Sequence, residues 1–285
     1  MILPPTTSTT GVFAEVALGG LGVRLVLRLT GDRAPELHER VLRAWDRCLV
    51  PDGPGDARRV VQAPVLEVCL ATDAAELTAA RTRGAVASDD VDDLLHHLSP
   101  AVTLRLIEAR AGSLMMLHAC ALAHPATGRV TVLVAPSGTG KTTLSRTLGR
   151  DFGYLTDETA GVDEQGRLLA YPKPLSVIPT PGAAVKQQVS PSEYGLRAPV
   201  GETRIGALVL LERDPEGPDA PEVTPEPTVR ALAALATQTS YLDRIERPLH
   251  RLAAVVEQAG GLRRVRYRES ATLAPLLAEW TGSGA

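Results

Sequence analysis

The sequence predicts an α/β fold with a mixed sheet built around a phosphate-binding loop over residues 106–285, preceded by a small α+β lobe over residues 1–105. Three observations carry that prediction. The apolar run "RVTVLVA" leads directly into "PSGTGKTT" and then into a helix-like segment, which is the strand, loop, helix order of a phosphate cradle. Strand-like and helix-like runs then alternate towards the C-terminus. Finally, 44% hydrophobic residues in a chain of 285 supply a sizeable core.

Each element follows from local pattern. Residues 12–29 alternate apolar and polar on either side of Gly19-Gly20, which predicts a β-hairpin, and "APELHERVLRAWDRCL" has helical spacing. "VPDGPGDARR" reads as a turn-rich loop, "VLEVCLA" as a strand, and residues 88–111 as one or two amphipathic helices. Beyond the lobe, "LMMLHACALAH" predicts a strand, "PATG" a turn, residues 129–135 a second strand, residues 140–151 a short helix and "GYLTDE" a short strand. "IGALVLLER" predicts a further strand and the Pro-rich "DPEGPDAPEVTPEP" an exposed loop. Helices are expected at 229–259 and 271–280, with the strand "RRVRYR" between them.

Composition narrows the function classes. Aromatics make up 3% of the chain, the formal net charge is −3 and the pI is near 6.1, so neither base-stacking platforms nor a basic excess points to nucleic acid. Cys48, Cys69 and Cys120 lie far apart with no CxxC spacing, which argues against a zinc site or a disulfide framework. The start "MILPPTTSTT" lacks a signal pattern and the apolar run at 16–29 is broken by Arg24 and Arg28, so no membrane partner and a cytoplasmic location are expected.

In a phosphate cradle, glycines let backbone N–H groups curl around phosphate oxygens, a lysine meets the outer phosphates, and a hydroxyl reaches Mg²⁺. Ser137, Gly138, Thr139, Gly140, Lys141 and Thr142, with Thr143 next in the helix, fit these parts. Ala135 stands where the usual pattern has its first glycine, a departure that matters only if the position needs a positive φ. Asp157 follows Lys141 by 16 residues, room for one minimal βαβ unit whose strands run parallel. If those strands are neighbours, Asp157 and Glu158 share the crevice at their carboxyl ends and face the terminal phosphate. "TDET" also suits a turn or a helix N-cap.

Four motifs in this order resemble the HPr kinase/phosphorylase group: His118-Ala119 before the loop strand, "PSGTGKTTL", "LTDE", and "KPLS" at residues 173–176. The likeness spans residues 117–205. It implies a P-loop kinase core of the HPr kinase/PEP carboxykinase type, with ATP and Mg²⁺ served by Lys141 and Thr142. It further implies Asp157 as the base for the acceptor hydroxyl, Glu158 as a metal or acceptor ligand, and His118 as neighbour of the catalytic acid. The family's acid pair is Asp-Asp where this chain has Asp-Glu. Among relatives, the chain is most similar in feel to kinases that phosphorylate lasso-peptide serines.

Other residues carry two readings each. Lys173 either reaches phosphate or substrate or is an exposed loop cation; Arg204 either neutralises transferring phosphate or caps a strand at the surface. His96 and His97 fit a charged helix face better than a metal site, and His38, His124 and His250 stand alone. The basic run 263–268 fits a solvated edge strand better than an acidic-peptide dock, and residues 179–199 form either a lid or an inert loop. No GxSxG nucleophile motif is present. The expected activity is phosphoryl transfer from ATP to a hydroxyl of a peptide or protein acceptor. The alternatives are a nucleotide-binding regulatory module without transfer and, further behind, carboxykinase chemistry. Self-association into a homo-oligomer is compatible with the sequence.

Overall fold

The computed structural model describes residues 11–51, 61–136, 138–180 and 182–282; the first ten residues, most of the turn-rich loop expected at 50–59, and Ser137 lie outside them. The N-terminal unit comprises β1 (Ala14–Gly20), β2 (Val23–Thr30), α1 (Ala34–Ala44), β3 (Val61–Gln62), β4 (Leu66–Leu70), α2 (Ala74–Thr82), β5 (Val86–Ser88) and α3 (Val91–Ala109). Its sheet has the order β1-β2-β4-β5, with β3 on β2; β1 is antiparallel to β2, and the other pairs are parallel. Strand β2 alternates buried and half-buried residues, which is the period of a sheet with one face on a core. Helix α3 starts where the Asp90 side chain accepts from the Asp93 N–H at 2.8 Å, and it buries Leu94, Leu95, Leu98, Val102 and Leu106 at helical spacing. The segment at 88–111 is thus dominated by one 19-residue helix, which runs through Pro100.

The hairpin turn differs from expectation. It falls on Leu21-Gly22, at φ 53° and 68°, while Gly19 and Gly20 remain in β1. A Cβ on Gly20 would sit 2.4 Å from the Tyr171 ring, so that glycine exists to admit a side chain from the second unit and the turn is displaced beyond it.

The second unit continues with β6 (Met115–Ala123), β7 (Arg129–Val134), α4 (Lys141–Leu148), β8 (Gly153–Thr156), β9 (Thr159–Val162), β10 (Leu168–Leu169), β11 (Leu175–Val177), β12 (Gln187–Val189), β13 (Arg204–Arg213), β14 (Glu222–Glu226), α5 (Thr228–Ala236), β15 (Thr239–Ser240), α6 (Pro248–Gln258), β16 (Leu262–Tyr267) and α7 (Ala274–Gly282). The large sheet has the order β10-β9-β6-β7-β13-β16-β14, with β8 and β15 also paired to β6. Strands β7, β13 and β16 are parallel, and β6 is antiparallel to β7, giving the mixed α/β sheet expected. Alternation on β6 and β7 splits the core. Leu117, Ala119, Ala121, Val132 and Val134 face α5 and α6; Cys120, Leu122 and Leu133 face α4 and α7.

Three local expectations are corrected. Residues 229–259 form two helices, α5 and α6, because the chain leaves the helix at Thr237 to pair Thr239 with Leu117 of β6 and restarts at Pro248 after Arg247 at φ 51°. The Pro-rich segment contains strand β14, antiparallel to β16, so the basic run of β16 is an inner strand. Its arginines pair with acids on both flanks: Arg264 with Glu212 and Glu226, and Arg266 with Asp214 and Glu222.

The two units share apolar packing. Leu114, Met116 and Tyr171 join the cluster built on β1, β2, α1 and α3, and the 105/106 junction expected between units falls inside α3. Among the described residues no helix is long and apolar enough to cross a membrane.

Candidate active site

Three stretches of chain meet at one level of the large sheet. Strand β7 ends with Val134 opposite Ala119 of β6, and Thr159 opposes His118 on the other side of β6. Between the paired positions Thr156 and Thr159, residues Asp157 and Glu158 interrupt what is otherwise one long strand along β6. The sequence expectation is corrected in one respect: β7 and β8 run parallel, yet β6 lies between them. Asp157 nonetheless reaches the loop, because the interruption sits level with the end of β7.

The loop itself has the required backbone. Gly138 and Gly140 adopt φ 83° and 91°, and Thr139 Oγ1 donates to the Pro136 carbonyl at 2.6 Å, which closes the turn. Ala135 is fully buried and is not among the positive-φ residues, so replacing the usual glycine by alanine imposes no strain there. Helix α4 begins directly after Gly140, aiming its first N–H groups at the cavity mouth.

Lys141 is 7% exposed. Its Nζ donates to the Ala135 carbonyl at 2.6 Å and the Pro136 carbonyl at 3.0 Å, and lies 2.9 Å from His118 Nε2. Burial pushes the Lys141 pKa down, with Glu158 opposing. Burial, followed by the Lys141 ammonium, pushes the His118 pKa down as well. A neutral imidazole accepting from Lys141 at Nε2 carries its proton on Nδ1, which lies 3.7 Å from Glu158 Oε1.

The two acids face different neighbours. Asp157 is 5% exposed; its Oδ2 accepts from the Thr142 hydroxyl at 2.8 Å and its Oδ1 from the Tyr154 hydroxyl at 3.1 Å. Burial, then the Asp157 charge, holds the Tyr154 phenol well above its ordinary pKa, so it stays a donor. Glu158 is more open, between His118 and Lys173. Lys173, only 2% exposed, lies 3.8 Å from Asp157 and 3.6 Å from Glu158, and its Nζ also donates to the Pro174 carbonyl at 3.1 Å. The exposed-loop alternative for Lys173 therefore does not hold.

A cavity of about 410 Å³ collects these groups: Gly138, Gly140, Lys141, Thr142, Thr143, His118, Asp157, Glu158 and Lys173 all line it. Arg204 is elsewhere. It opens β13 opposite Arg129, at the far end of β7 from the loop, and pairs with Glu202 at 2.5 Å. The other end of β13 supplies an arginine near the loop: a Cβ on Gly140 would lie 3.9 Å from Arg213 Cδ. Residues that sequence reasoning did not single out also line the cavity, notably Arg146, Val177, Ile178 and Lys186. Arg146 was legible in principle, four residues after Thr142 on the same helix; Lys186 carried no local signal. The segment 179–199, open between lid and inert loop, contributes Lys186, directly before β12 of the hairpin β11–β12.

Among the described residues no group of three or more His, Cys, Asp or Glu is arranged to hold a metal. The cysteines are free and buried, with Cys48 and Cys120 pushed up to about 12 by burial.

A scan against protein-family models and a search of curated proteins each return no match. Among solved structures, the chain is similar to the HPr(Ser) kinase/phosphatase from Coxiella burnetii, with 15% identity over 59% of this chain and 93% of that one, and a TM-score of 0.32.

Proposed function

We propose that this protein is an ATP-dependent kinase that transfers the γ-phosphoryl group to a hydroxyl of a peptide or protein. The observation that carries the proposal is the division of the acid pair: Asp157 is bonded to Thr142 at the start of α4, while Glu158 makes no such bond and lies between Lys173 and His118. A nucleotide sensor needs a loop and a metal-side acid but not a second, open carboxylate beside a buried lysine.

The loop amides and the α4 N-terminus would hold the β- and γ-phosphates, with Lys141 leaving its loop carbonyls to meet them. The Thr142 hydroxyl and Asp157 offer two hard oxygen donors, which fit Mg²⁺ completed by phosphate oxygens and water. Mg²⁺ bound there would neutralise charge on the transferring group. This geometry favours an exchange of the roles expected from sequence: Asp157 serves the metal side, and Glu158 is the base. The acceptor oxygen bonds to the γ-phosphorus and its proton passes to Glu158. The bond from that phosphorus to the bridging oxygen breaks, and ADP leaves with the electron pair. Lys173 sits beside both carboxylates, and His118, neutral, stands between Lys141, with which it shares a hydrogen bond, and Glu158 3.7 Å away.

The motif resemblance supports the finer assignment of the acceptor to a serine of a natural-product precursor peptide. The test is a pair of variants. Glu158→Gln should bind Mg·ATP like the wild type yet lose transfer by about 100-fold or more, the scale of general base catalysis. Asp157→Asn should instead weaken Mg²⁺-dependent nucleotide binding. If Glu158→Gln transfers at the wild-type rate while Asp157→Asn binds nucleotide normally but is inactive, the base is Asp157. If no peptide or protein is labelled from ATP by the wild type, the kinase reading fails.

A further inference from the structure

A second cavity, of about 520 Å³, lies on the other side of the Glu158–Lys173 pair. Glu158, Lys173, Ser176 and Lys186 line both cavities, so the two abut at the carboxylate assigned to the acceptor proton. Asp157 lines only the nucleotide side.

The far wall is α3 of the N-terminal unit. The helix carries two stripes: Leu94, Leu98, Val102 and Leu106 enter the core, whereas His96, Pro100, Leu104 and Ile107 line the cavity. Leu104 is 46% exposed there, an apolar side chain turned to open space beside a polar site. Pro100 has no N–H, so it cannot bond the carbonyl of His96 one turn before it, and both residues border the cavity. That carbonyl therefore lacks its usual intrahelical donor, which water or a bound ligand's N–H can replace. Opposite, the Lys186 backbone N–H donates to His96 Nδ1 at 3.4 Å, tying hairpin β11–β12 to α3, while the Lys186 ammonium forms no ion pair among the described residues.

We infer that this cavity is the acceptor site and that its occupant is an extended peptide whose hydroxyl residue lies over Glu158 and whose adjacent residue is apolar and rests on Leu104. The inference rests on the kinase reading. An extended peptide, unlike a small alcohol, supplies backbone N–H groups for the wall and a side chain for the apolar step, and it places its hydroxyl where the cavities meet. The small lobe thereby selects the substrate, and the sheet unit performs the transfer.

The test uses the full chain and a positional set of serine peptides in which the residue beside the serine is leucine, alanine or glutamate, with labelled ATP as donor. Leucine peptides should be phosphorylated at least about tenfold more efficiently than glutamate peptides; equal efficiency overturns the inference. In a second arm, Leu104→Cys is alkylated with a bulky maleimide. The native cysteines are buried and do not compete for the reagent. Alkylation should raise the peptide KM at least about tenfold without changing nucleotide affinity, whereas the same treatment of Val229→Cys, 80% exposed on α5, should change neither. An unchanged peptide KM after alkylation at 104 overturns the acceptor site and leaves the kinase reading standing. Absence of phosphopeptide from every member of the set, with wild-type protein, overturns both.

Discussion

His118 shows how much a single side chain can report. It sits between the Lys141 ammonium and Glu158, and its pKa is held below the usual 6.5 mainly by burial and next by Lys141. In the unfolded chain it takes up a proton near that value, whereas the folded form refuses it until a lower pH. The unfolded state then binds more protons, so stability falls as pH drops from above 6.5 towards the lowered value. Between about pH 7.5 and about pH 5.5, thermal unfolding of the wild type should therefore lose more stability than that of His118→Asn. Equal losses would mean that the histidine titrates normally in the fold. The roles of such residues were unevenly legible. Lys141, Thr142 and Asp157 stood out because their spacing is set along the chain. The burial of Lys173 did not, since "YPKPL" reads the same whether its lysine is solvated or, as observed, 2% exposed against two carboxylates.

At the scale of elements, the passage from the loop into α4 turns on a left-handed residue. Gly140 adopts φ 91° immediately before the helix, and a Cβ there meets nothing closer than Arg213 Cδ at 3.9 Å, so the penalty of a side chain is conformational and not steric crowding. Gly140→Ala should cost about 1–2 kcal/mol in the left-handed region, and nucleotide affinity measured by calorimetry should fall about tenfold as the turn opens to relieve it. Wild-type affinity would show that the amides need no such turn. Apolar runs revealed β6, β7 and β13, which are buried on both faces, and helical spacing revealed α3 and α4, each of which buries a stripe along its own length. Such local pattern could not reveal that β6 separates β7 from β8, since strand order is decided by partners distant in sequence. Nor could it reveal β14, whose "EVTPE" is mostly exposed and becomes a strand only through the ladder offered by β16. The break in 229–259 escaped for the same reason: Thr239-Ser240 are drawn out of the helix by pairing with Met116 and Leu117.

For the molecule as a whole, the two units share one apolar cluster. Tyr171 is 1% exposed, fills the space left by Gly20, and exchanges a 2.9 Å hydrogen bond with Thr103 of α3. Leu21, fully buried at the hairpin tip, donates its N–H to the Ala170 carbonyl at 3.0 Å. Truncating a fully buried aromatic removes contacts from both sides, so Tyr171→Ala should lower stability by about 3–5 kcal/mol. In urea the wild type should unfold in one transition, observed alike by fluorescence and circular dichroism; two separated transitions would show that the units fold independently. Because α3 is both the spine of the small lobe and a wall of the second cavity, its tilt is coupled to that lobe's packing. Grafting the lobe of one such chain onto the sheet of another would then change the clientele and keep the reaction, leaving the choice of customer to evolve apart from the chemistry done on it.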